Sequence, residues 1–475
     1  MVIFMKNMSI WKDNVKRKEY PKLIEDKEVD VLIIGGGLTG ISTLYHLKDS
    51  NLKVILVEQN RIGMSVTGNS TGKLNYLQND LLDKIRTNFD DETAIHYIKS
   101  QKDAIKMILN TIEKEKIKCD LQKVDAYLYT NKNEEIQKIK DLKRFLYKNS
   151  IKIEESNTDL VESKYTVRVH DTYEFHPIKF LNGLLEKNTF PVYENTSILK
   201  LEKKDNDYLC YTEENIIKAK YVVVASHYPY FLFPFLFPIK ASLEKSYLSA
   251  SKKRIEPISL ISYSYPFLSI RNYKNYMIYL SNSHDVTKDT CDRKNFEELM
   301  KKLEDLKLKP DYLWSNMDVI TNDGLPYIGK INHHLLIGTG YNTWGLTNGF
   351  LAGKILSDIL MKKRNKYKKL FYPKRRNVAQ LMGSISDTYK TLRGYVQGYL
   401  YESDNVIHKK VNGKKVIIYK DFNKEYMVYQ KCPHVGCDLI FNEIEKTWDC
   451  PCHGSRFDVD GECISGPSNK DITVK

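Results

Sequence analysis

Four cysteines and two histidines crowd two short stretches near the C-terminal end of this sequence, CPHVGC at 432–437 and DCPCHGSRF at 449–457. Each stretch offers one Cys–His combination, Cys432-x-His434 in the first and Cys450-x-x-His453 in the second. Thiolates and imidazoles ligate zinc and the irons of iron–sulfur centres, and a cysteine pair can also cross-link a small fold. A zinc finger usually gathers a Cys pair and then a His pair. Mixed pairs in both loops suit a centre whose two metals want different ligands. Of the eight cysteines, Cys119, Cys210 and Cys291 are scattered, while Cys432, Cys437, Cys450, Cys452 and Cys463 cluster. In a reducing compartment such a cluster argues for a metal centre before a disulfide framework.

A second chemistry-bearing stretch lies near the other end. Gly35-Gly36-Gly37-Leu38-Thr39-Gly40 fits G-x-G-x-x-G between an apolar run, Val29 to Ile34, and a helix-like segment. The pattern predicts a tight turn at Gly35, close approach of the backbone to a pyrophosphate at Gly37 and close helix–strand packing at Gly40. The phosphates would rest on unsatisfied N–H groups at the helix start. The next apolar run, KVILVE, ends in Glu58, where a carboxylate can accept hydrogen bonds from a ribose diol. A distant second glycine loop, Gly338-Thr339-Gly340 with Gly345 and Gly349 beyond, also leads into a helix. An extended, permanently held FAD needs such a clamp at its flavin end, and no second complete G-x-G-x-x-G is available for a nicotinamide.

These residues need rigid elements to hold them. The uninterrupted apolar run before Gly35 predicts a strand of a parallel sheet buried on both faces. Residues 80–118 read as a helix, 126–130 as a strand, 133–148 as a helix and 221–226 as a second buried strand. The Tyr- and Ser-rich 240–315 region, with a helix near 293–307, suits a substrate-side sheet, and 334–360 returns to strand, glycine loop and helix. Beyond residue 403, short strands with turns at NGKK, DFNKE and DVDGE predict a small all-β domain. The expected organisation is an N-terminal extension (1–27), an α/β Rossmann-like FAD-binding domain with an interleaved α+β substrate domain (28–360), a basic, helical linker (361–402) and the all-β domain (403–475).

The chain of 475 residues is long enough for a substantial core without metals or disulfides, and its 42% apolar and 28% charged residues are those of a soluble globular protein. The net charge of +14 accompanies a composition rich in Lys, Asn, Ile and Tyr throughout, and 403–475 carries 11 basic against 11 acidic residues, so no nucleic-acid partner is expected. The stretch 361–376 has nine Lys or Arg and no acid, which reads as a solvated helix end and linker, with weak contact to an anionic membrane surface as the alternative. No export signal is recognisable at the N-terminus, and Pro229, Pro234 and Pro238 interrupt the longest uncharged run, 221–239. The expectation is a cytoplasmic protein with no transmembrane segment.

DVLIIGGGLTGISTLYHL with VILVEQNRIG, the polar loop SVTGNSTGK at 65–73, VVVASHYP at 222–229, and DGLPYIGKI with LLIGTGYNTWGLTNGFLAGKILSDIL together resemble FAD-dependent oxidoreductases of the D-amino-acid oxidase-like class, which includes glycine and sarcosine oxidases. The resemblance implies that Gly35, Gly37, Leu38, Thr39 and Gly40 hold the pyrophosphate, Glu58 the ribose, and Ser70, Thr71 and Gly72 the flavin edge. It also implies that Gly340, Asn342, Trp344, Gly345, Leu346 and Thr347 bring N–H groups and a helix start to the flavin's pyrimidine end, where negative charge gathers on reduction. The cysteine that tethers the flavin in some relatives is missing, so noncovalent FAD is expected. Among catalytic candidates, Arg271 in FLSIRNY is suited to bind a substrate carboxylate bidentately. Tyr341 and Trp344, together with Tyr247, could wall an apolar pocket over the flavin. His176 and His227 are acid–base candidates, although each such histidine is more often structural.

The C-terminal pattern C-x-H-x-G-C … C-P-C-H-G-S resembles Rieske domains over 403–475. The resemblance implies a [2Fe–2S] cluster with Cys432 and Cys450 on the inner iron and His434 and His453 on the outer one. It further implies a Cys437–Cys452 disulfide and a cluster-covering loop at Gly466-Pro467. Ser455 is the expected hydroxyl donor to the cluster sulfurs, and Phe457 stands where quinol-oxidising relatives carry tyrosine. An intermediate potential follows, within the range of roughly −150 to +300 mV open to such centres. The two resemblances together imply an FAD-dependent oxidoreductase that oxidises a small substrate, an amine or amino acid, and passes electrons one at a time through the cluster to an external acceptor. The alternative is a non-catalytic redox sensor or electron-transfer flavo-iron-sulfur protein.

Overall fold

The computed structural model describes residues 5–13, 15–228, 241–286, 292–375, 398, 405–421 and 424–474. The apolar run becomes strand Lys27–Ile34, which pairs in parallel with Val54–Val57 on one side and Ile216–Val224 on the other. Leu335–Thr339 continues the sheet beyond 216–224, again in parallel, and Val192–Tyr193 closes the opposite edge. Alternation along the central strand feeds two apolar clusters. Val31 and Ile33 pack with helices Leu38–Leu47 and Gly345–Leu360, whereas Leu32 and Ile34 pack with residues such as Leu243 and Val319. Burial of both faces is the reason the run carries no polar alternation. Gly353 lets the two helices cross closely, because a Cβ there would lie 2.3 Å from Ser42 Oγ.

The intervening chain builds a nine-stranded sheet whose main path runs Pro310–Thr321, Ala241–Lys252, Tyr276–Asp285, Ser269–Tyr273, Ile258–Ser262, Gln122–Thr130, Tyr165–Glu174, Lys73–Leu74. The helix expected over 80–118 is two helices, Leu81–Asn88 and Asp91–Glu115. Asp90 divides them: its carboxylate accepts from the Thr93 N–H at 2.6 Å, capping the second helix as an N-terminal aspartate does. Helix Asn133–Lys148 coincides with the expected span.

The C-terminal domain has a three-stranded sheet (Val406–Val411, Lys414–Asp421, Lys424–Tyr429) and a four-stranded one (Ile440–Asn442, Thr447–Asp449, Arg456–Asp458, Cys463–Ser465). The NGKK turn joins the first two strands with Asn412 and Gly413 both at positive φ (50° and 76°), the combination a two-residue hairpin with native twist requires. Trp448, Phe457 and Val428 are fully buried in its core.

The N-terminal extension is anchored in the oxidoreductase body. Trp11 is fully buried and its indole N–H donates to Ser70 O at 2.6 Å. The basic stretch begins at the end of helix Gly345–Leu360, whose C-cap is Met361, and then runs in turns to 375; Phe371 is fully buried, and Arg375 pairs with Asp323 through Nε and Nη2 at 2.7 and 2.8 Å. The helix-like 378–402 segment, Gly398 apart, and Pro229, Pro234 and Pro238 lie outside the described residues. Among the described residues no helix is long and apolar enough to cross a membrane.

Candidate functional site

A cavity of about 240 Å³ lies between the parallel core and the nine-stranded sheet. Gly35, Gly37, Leu38 and Thr39 line it from the first turn, Glu58, Gln59 and Asn60 from the end of the next strand, and Ser70 and Thr71 from the polar loop. Tyr341, Thr343, Trp344, Gly345 and Leu346 line it from the second glycine loop. Gly35 has φ +112° and a Cβ there would lie 2.7 Å from Ala225 O, while a Cβ on Gly40 would lie 2.0 Å from Gly35 O. Only glycine fits this turn. Neither helix that starts at the cavity has a side-chain cap: Leu38–Leu47 begins after Gly37 and Gly345–Leu360 after Trp344. Apart from Leu38 N–H, which donates to Thr67 Oγ1 at 3.2 Å, two sets of helix-start donors with their positive dipole ends are left for an anionic ligand. Glu58 accepts from Gly36 N–H at 2.6 Å and Asn60 N–H at 3.0 Å, which orients its carboxylate at the cavity rim. Thr39 and Tyr341 hydroxyls meet at 2.7 Å and tie the two loops together. This donor set fits a dinucleotide with a pyrophosphate and a carboxylate-bound ribose.

Several expected contacts fall elsewhere. Arg271 is buried away from the cavity, with Nη1 donating to Thr71 O (2.7 Å) and Gly72 O (2.9 Å), Nε to Asn272 O (3.1 Å), and Glu174 Oε2 at 3.2 Å from Nε. It packs under the polar loop as a structural ion pair, with no donor facing the substrate space. Gly72 stands behind that loop because any Cβ would meet Arg271 Nη1 at 2.4 Å. Gly340, Asn342 and Thr347 also lie behind the cavity wall. Asn342 Oδ1 accepts from Thr321 N–H at 2.8 Å and its Nδ2 donates to Gly324 O at 2.9 Å, and Thr347 donates to Gln101 Oε1 at 2.6 Å. Tyr247 points to the opposite face of its strand, where its hydroxyl meets His284 Nε2 at 2.9 Å. His176 caps helix Pro177–Leu185, accepting from Lys179 N–H. His227 does line the cavity, and burial pushes it down to about 4.

At the C-terminal end, Cys432 and Cys450 are buried with free thiols within hydrogen-bonding reach of each other. Nδ1 of His434 and Nδ1 of His453 are both buried without a partner, and the rings stand 4.9 Å apart at 81°. Burial keeps both imidazoles neutral, down to about 4 for His434 and about 3 for His453. A pair of neighbouring thiols and a pair of neighbouring imidazoles whose Nδ1 atoms make no hydrogen bond fit a diiron centre with mixed ligands. Cys437 and Cys452 are joined as a disulfide between the two loops, with Cys450 Sγ within 4.8 Å of both sulfurs. The Ser455 hydroxyl is aimed at the Cys432 sulfur and also accepts from Ser468 N–H at 2.9 Å.

The two sites share one wall. Strands Ala241–Lys252 and Pro310–Thr321 pair antiparallel, and side chains alternate between the faces of the ribbon. Glu244, Ser246, Asn316 and Asp318 face the cavity, whereas Lys245 and Met317 face Cys450, Pro451 and Gly454 of the second cysteine loop. One ion pair and two hydrogen bonds cross this contact: Lys245 Nζ to Asp449 at 2.9 Å, Ser315 Oγ to Glu445 at 2.7 Å, and Arg456 Nη1 to Ser315 Oγ at 3.2 Å, with Arg456 and Glu445 themselves paired at 2.7 Å. A second contact lies at Gly466 and its neighbours. Ile464, Ser465 and Gly466 line the cavity itself, and Asn60 Nδ2 donates to Cys463 O (3.1 Å) and Ile464 O (2.9 Å).

Comparison with known proteins decides the family. The profile of the DAO family, FAD dependent oxidoreductase, matches residues 30–359. The chain belongs to this family of FAD-dependent oxidoreductases. A Rieske [2Fe-2S] domain matches residues 397–474, so the cofactors of this oxidoreductase are FAD and a [2Fe–2S] cluster. The Rieske 2Fe-2S iron-sulfur protein YhfW of Bacillus subtilis (strain 168) is 29% identical over 97% of this chain and 96% of its own. Gamma-glutamylputrescine oxidoreductase of Escherichia coli (strain K12) is 23% identical over 73% of this chain and 86% of its own. Among solved structures, glycine oxidase from Geobacillus kaustophilus superposes with TM-score 0.61 at 14% identity, over 74% of this chain and 99% of that one.

The oxidoreductase also carries cavity groups that its motifs do not announce: Gln59, Asn60 and Thr67, the Ile464–Gly466 loop, and the facing carboxylates Glu244 and Asp318. Burial, and then the nearby Asp318, Asp285 and Asp80 against Lys84, raises Glu244 to about 8; burial alone raises Asp318 to about 7. A carboxyl whose folded value is raised stabilises the fold while protonated and loses that contribution as pH climbs through the folded value. Glu244→Gln is therefore expected to gain thermal midpoint relative to the parent as pH rises from 5 to 9. A difference in midpoint that stays flat across this range in differential scanning fluorimetry contradicts the assignment.

Proposed function

We propose that the protein takes two electrons from a small amine or amino acid at its FAD site and releases them singly, through its Rieske domain, to an acceptor outside the chain. When bound, FAD supplies the two-electron chemistry and the cluster the one-electron chemistry. The observation that carries the reading is the shared ribbon: the strands that wall the cavity on one face support the Cys450 loop on the other, one layer of backbone away. The chain's own residues have distinct tasks. The two uncapped helix starts and Glu58 bind the dinucleotide, Tyr341 and Trp344 close the cavity, and Glu244, Asp318 and His227 are the titratable groups on its wall. The Lys245–Asp449 ion pair and the hydrogen bonds of Ser315 with Glu445 and Arg456 fix the Rieske domain against the ribbon. The Escherichia coli relative, named for gamma-glutamylputrescine, supports an amine.

The test is anaerobic mixing of the purified protein with a panel of amines and amino acids, following flavin absorbance and the electron paramagnetic resonance of the cluster together. Bleaching of the flavin followed by reduction of the cluster within the same turnover is the expected result. Flavin that turns over while the cluster stays oxidised overturns the transfer; flavin bleached by nothing in the panel favours the electron-carrier alternative.

A further inference from the structure

The cavity wall opposite the glycine loops is made of acceptors. Glu244 and Asp318 are register partners on adjacent antiparallel strands, so their side chains stand directly across from each other on the cavity face. Like charges in that position destabilise a sheet unless something positive or a proton lies between them. Around them, Glu244 Oε1 has no hydrogen-bond partner, and neither has Asn316 Oδ1, although Asn316 is only 8% exposed and lines the same space. The Asn316 amide turns its nitrogen to Asp318 Oδ2 at 3.1 Å, which leaves the unpartnered oxygen for the cavity. Buried acceptors without donors cost free energy until a ligand supplies N–H groups.

Among the described residues, the cations that line the cavity are engaged elsewhere. Lys73 Nζ donates to Leu260 O, Ser269 Oγ and Ile270 O at 2.9, 2.7 and 3.0 Å. Arg61 reaches Glu194 at 3.2 Å and Glu19 at 3.3 Å. With Arg271 turned away under the polar loop, no described arginine or lysine on the wall is left to receive a carboxylate. Beside the acceptors, Leu248, Leu280, Ile261 and Phe267 supply apolar wall for a short alkyl chain.

We infer that Glu244, Asp318 and Asn316 form a cation subsite that binds the ammonium group of an alkylamine, so that the substrate is an organic cation and not an α-amino acid held by its carboxylate. The inference rests on the oxidoreductase reading above and narrows its substrate class. Burial that holds the two carboxyls at about 8 and about 7 lets the pair keep a proton when empty and release it when an ammonium arrives.

The test uses the FAD- and cluster-loaded protein, anaerobically, with 1-aminobutane and butanoate as probes, and reads the dissociation constant from perturbation of the flavin spectrum and from calorimetry. 1-Aminobutane is expected to bind and butanoate not. Glu244→Gln and Asp318→Asn should each weaken amine binding by about tenfold or more, the loss of one charge-assisted contact, while retained flavin and cluster spectra report intact folding. Butanoate binding as tightly as the amine overturns the inference, and this comparison needs only the parent protein. So does amine affinity unchanged in both substituted proteins. Electron transfer from chemically reduced flavin to the cluster is measured separately: its failure alone sinks the wider functional reading, and preference for butanoate alone sinks the subsite.

Discussion

Replacing His453 with alanine is expected to remove the Rieske signal altogether. The iron content of the purified protein should fall to background and the cluster's electron paramagnetic resonance should vanish, while the flavin spectrum survives. His453 is 8% exposed, its buried Nδ1 makes no hydrogen bond, and its ring stands beside that of His434. A diiron centre that loses one of four ligands in a buried pocket has no replacement donor of the same geometry. The fold has independent support, since Trp448, Phe457 and Val428 fill the domain core and the Cys437–Cys452 disulfide joins the loops. Cys463 supplies the control. It is buried and free, but its sulfur is directed at Ser468 O at 3.2 Å, so Cys463→Ser should keep its iron. Iron and signal that persist in His453→Ala contradict the ligand assignment.

Arg271→Met is expected to destabilise the whole oxidoreductase domain by about 3–5 kcal/mol, the cost of breaking a buried ion pair from one side. Arg271 is 2% exposed and Glu174 is fully buried beneath it. Burial raises Glu174 to about 7 despite the attraction of Arg271 and Lys73, so removing the guanidinium strands a carboxyl already held at the edge of ionisation. The same change releases the Thr71 and Gly72 carbonyls that shape the polar loop. Chemical denaturation should show the lost stability, and adding Glu174→Gln to Arg271→Met should recover part of it. Were Arg271 a substrate anchor, the substitution would raise KM with little change in stability. That outcome contradicts its structural assignment.

Local patterns were readable because their physics is local. The G-x-G-x-x-G turn needs only Gly35 and Gly40 to let strand and helix approach, and both do so with contacts that forbid a Cβ. The ligand loops likewise place Cys432 with His434 and Cys450 with His453 through spacing alone, and NGKK set its hairpin through two residues at positive φ. The break at Asp90 was also local, a capping aspartate concealed in a run without Gly or Pro.

Other assignments depended on which face of a strand a residue occupies, and one residue of register reverses that face. Tyr247 was expected in the cavity and points to His284, while its neighbour Ser246 lines the cavity instead. Arg271 resembled a carboxylate clamp until carbonyls from Thr71 and Gly72 and the side chain of Glu174 enclosed it. Sequence by itself determined the cofactor chemistry, since turns and ligand spacings are written in consecutive residues. Only the tertiary structure brought Glu244 opposite Asp318 and set Ile464 to Gly466 against the dinucleotide cavity, because strand register and domain docking join residues that have no relation along the chain.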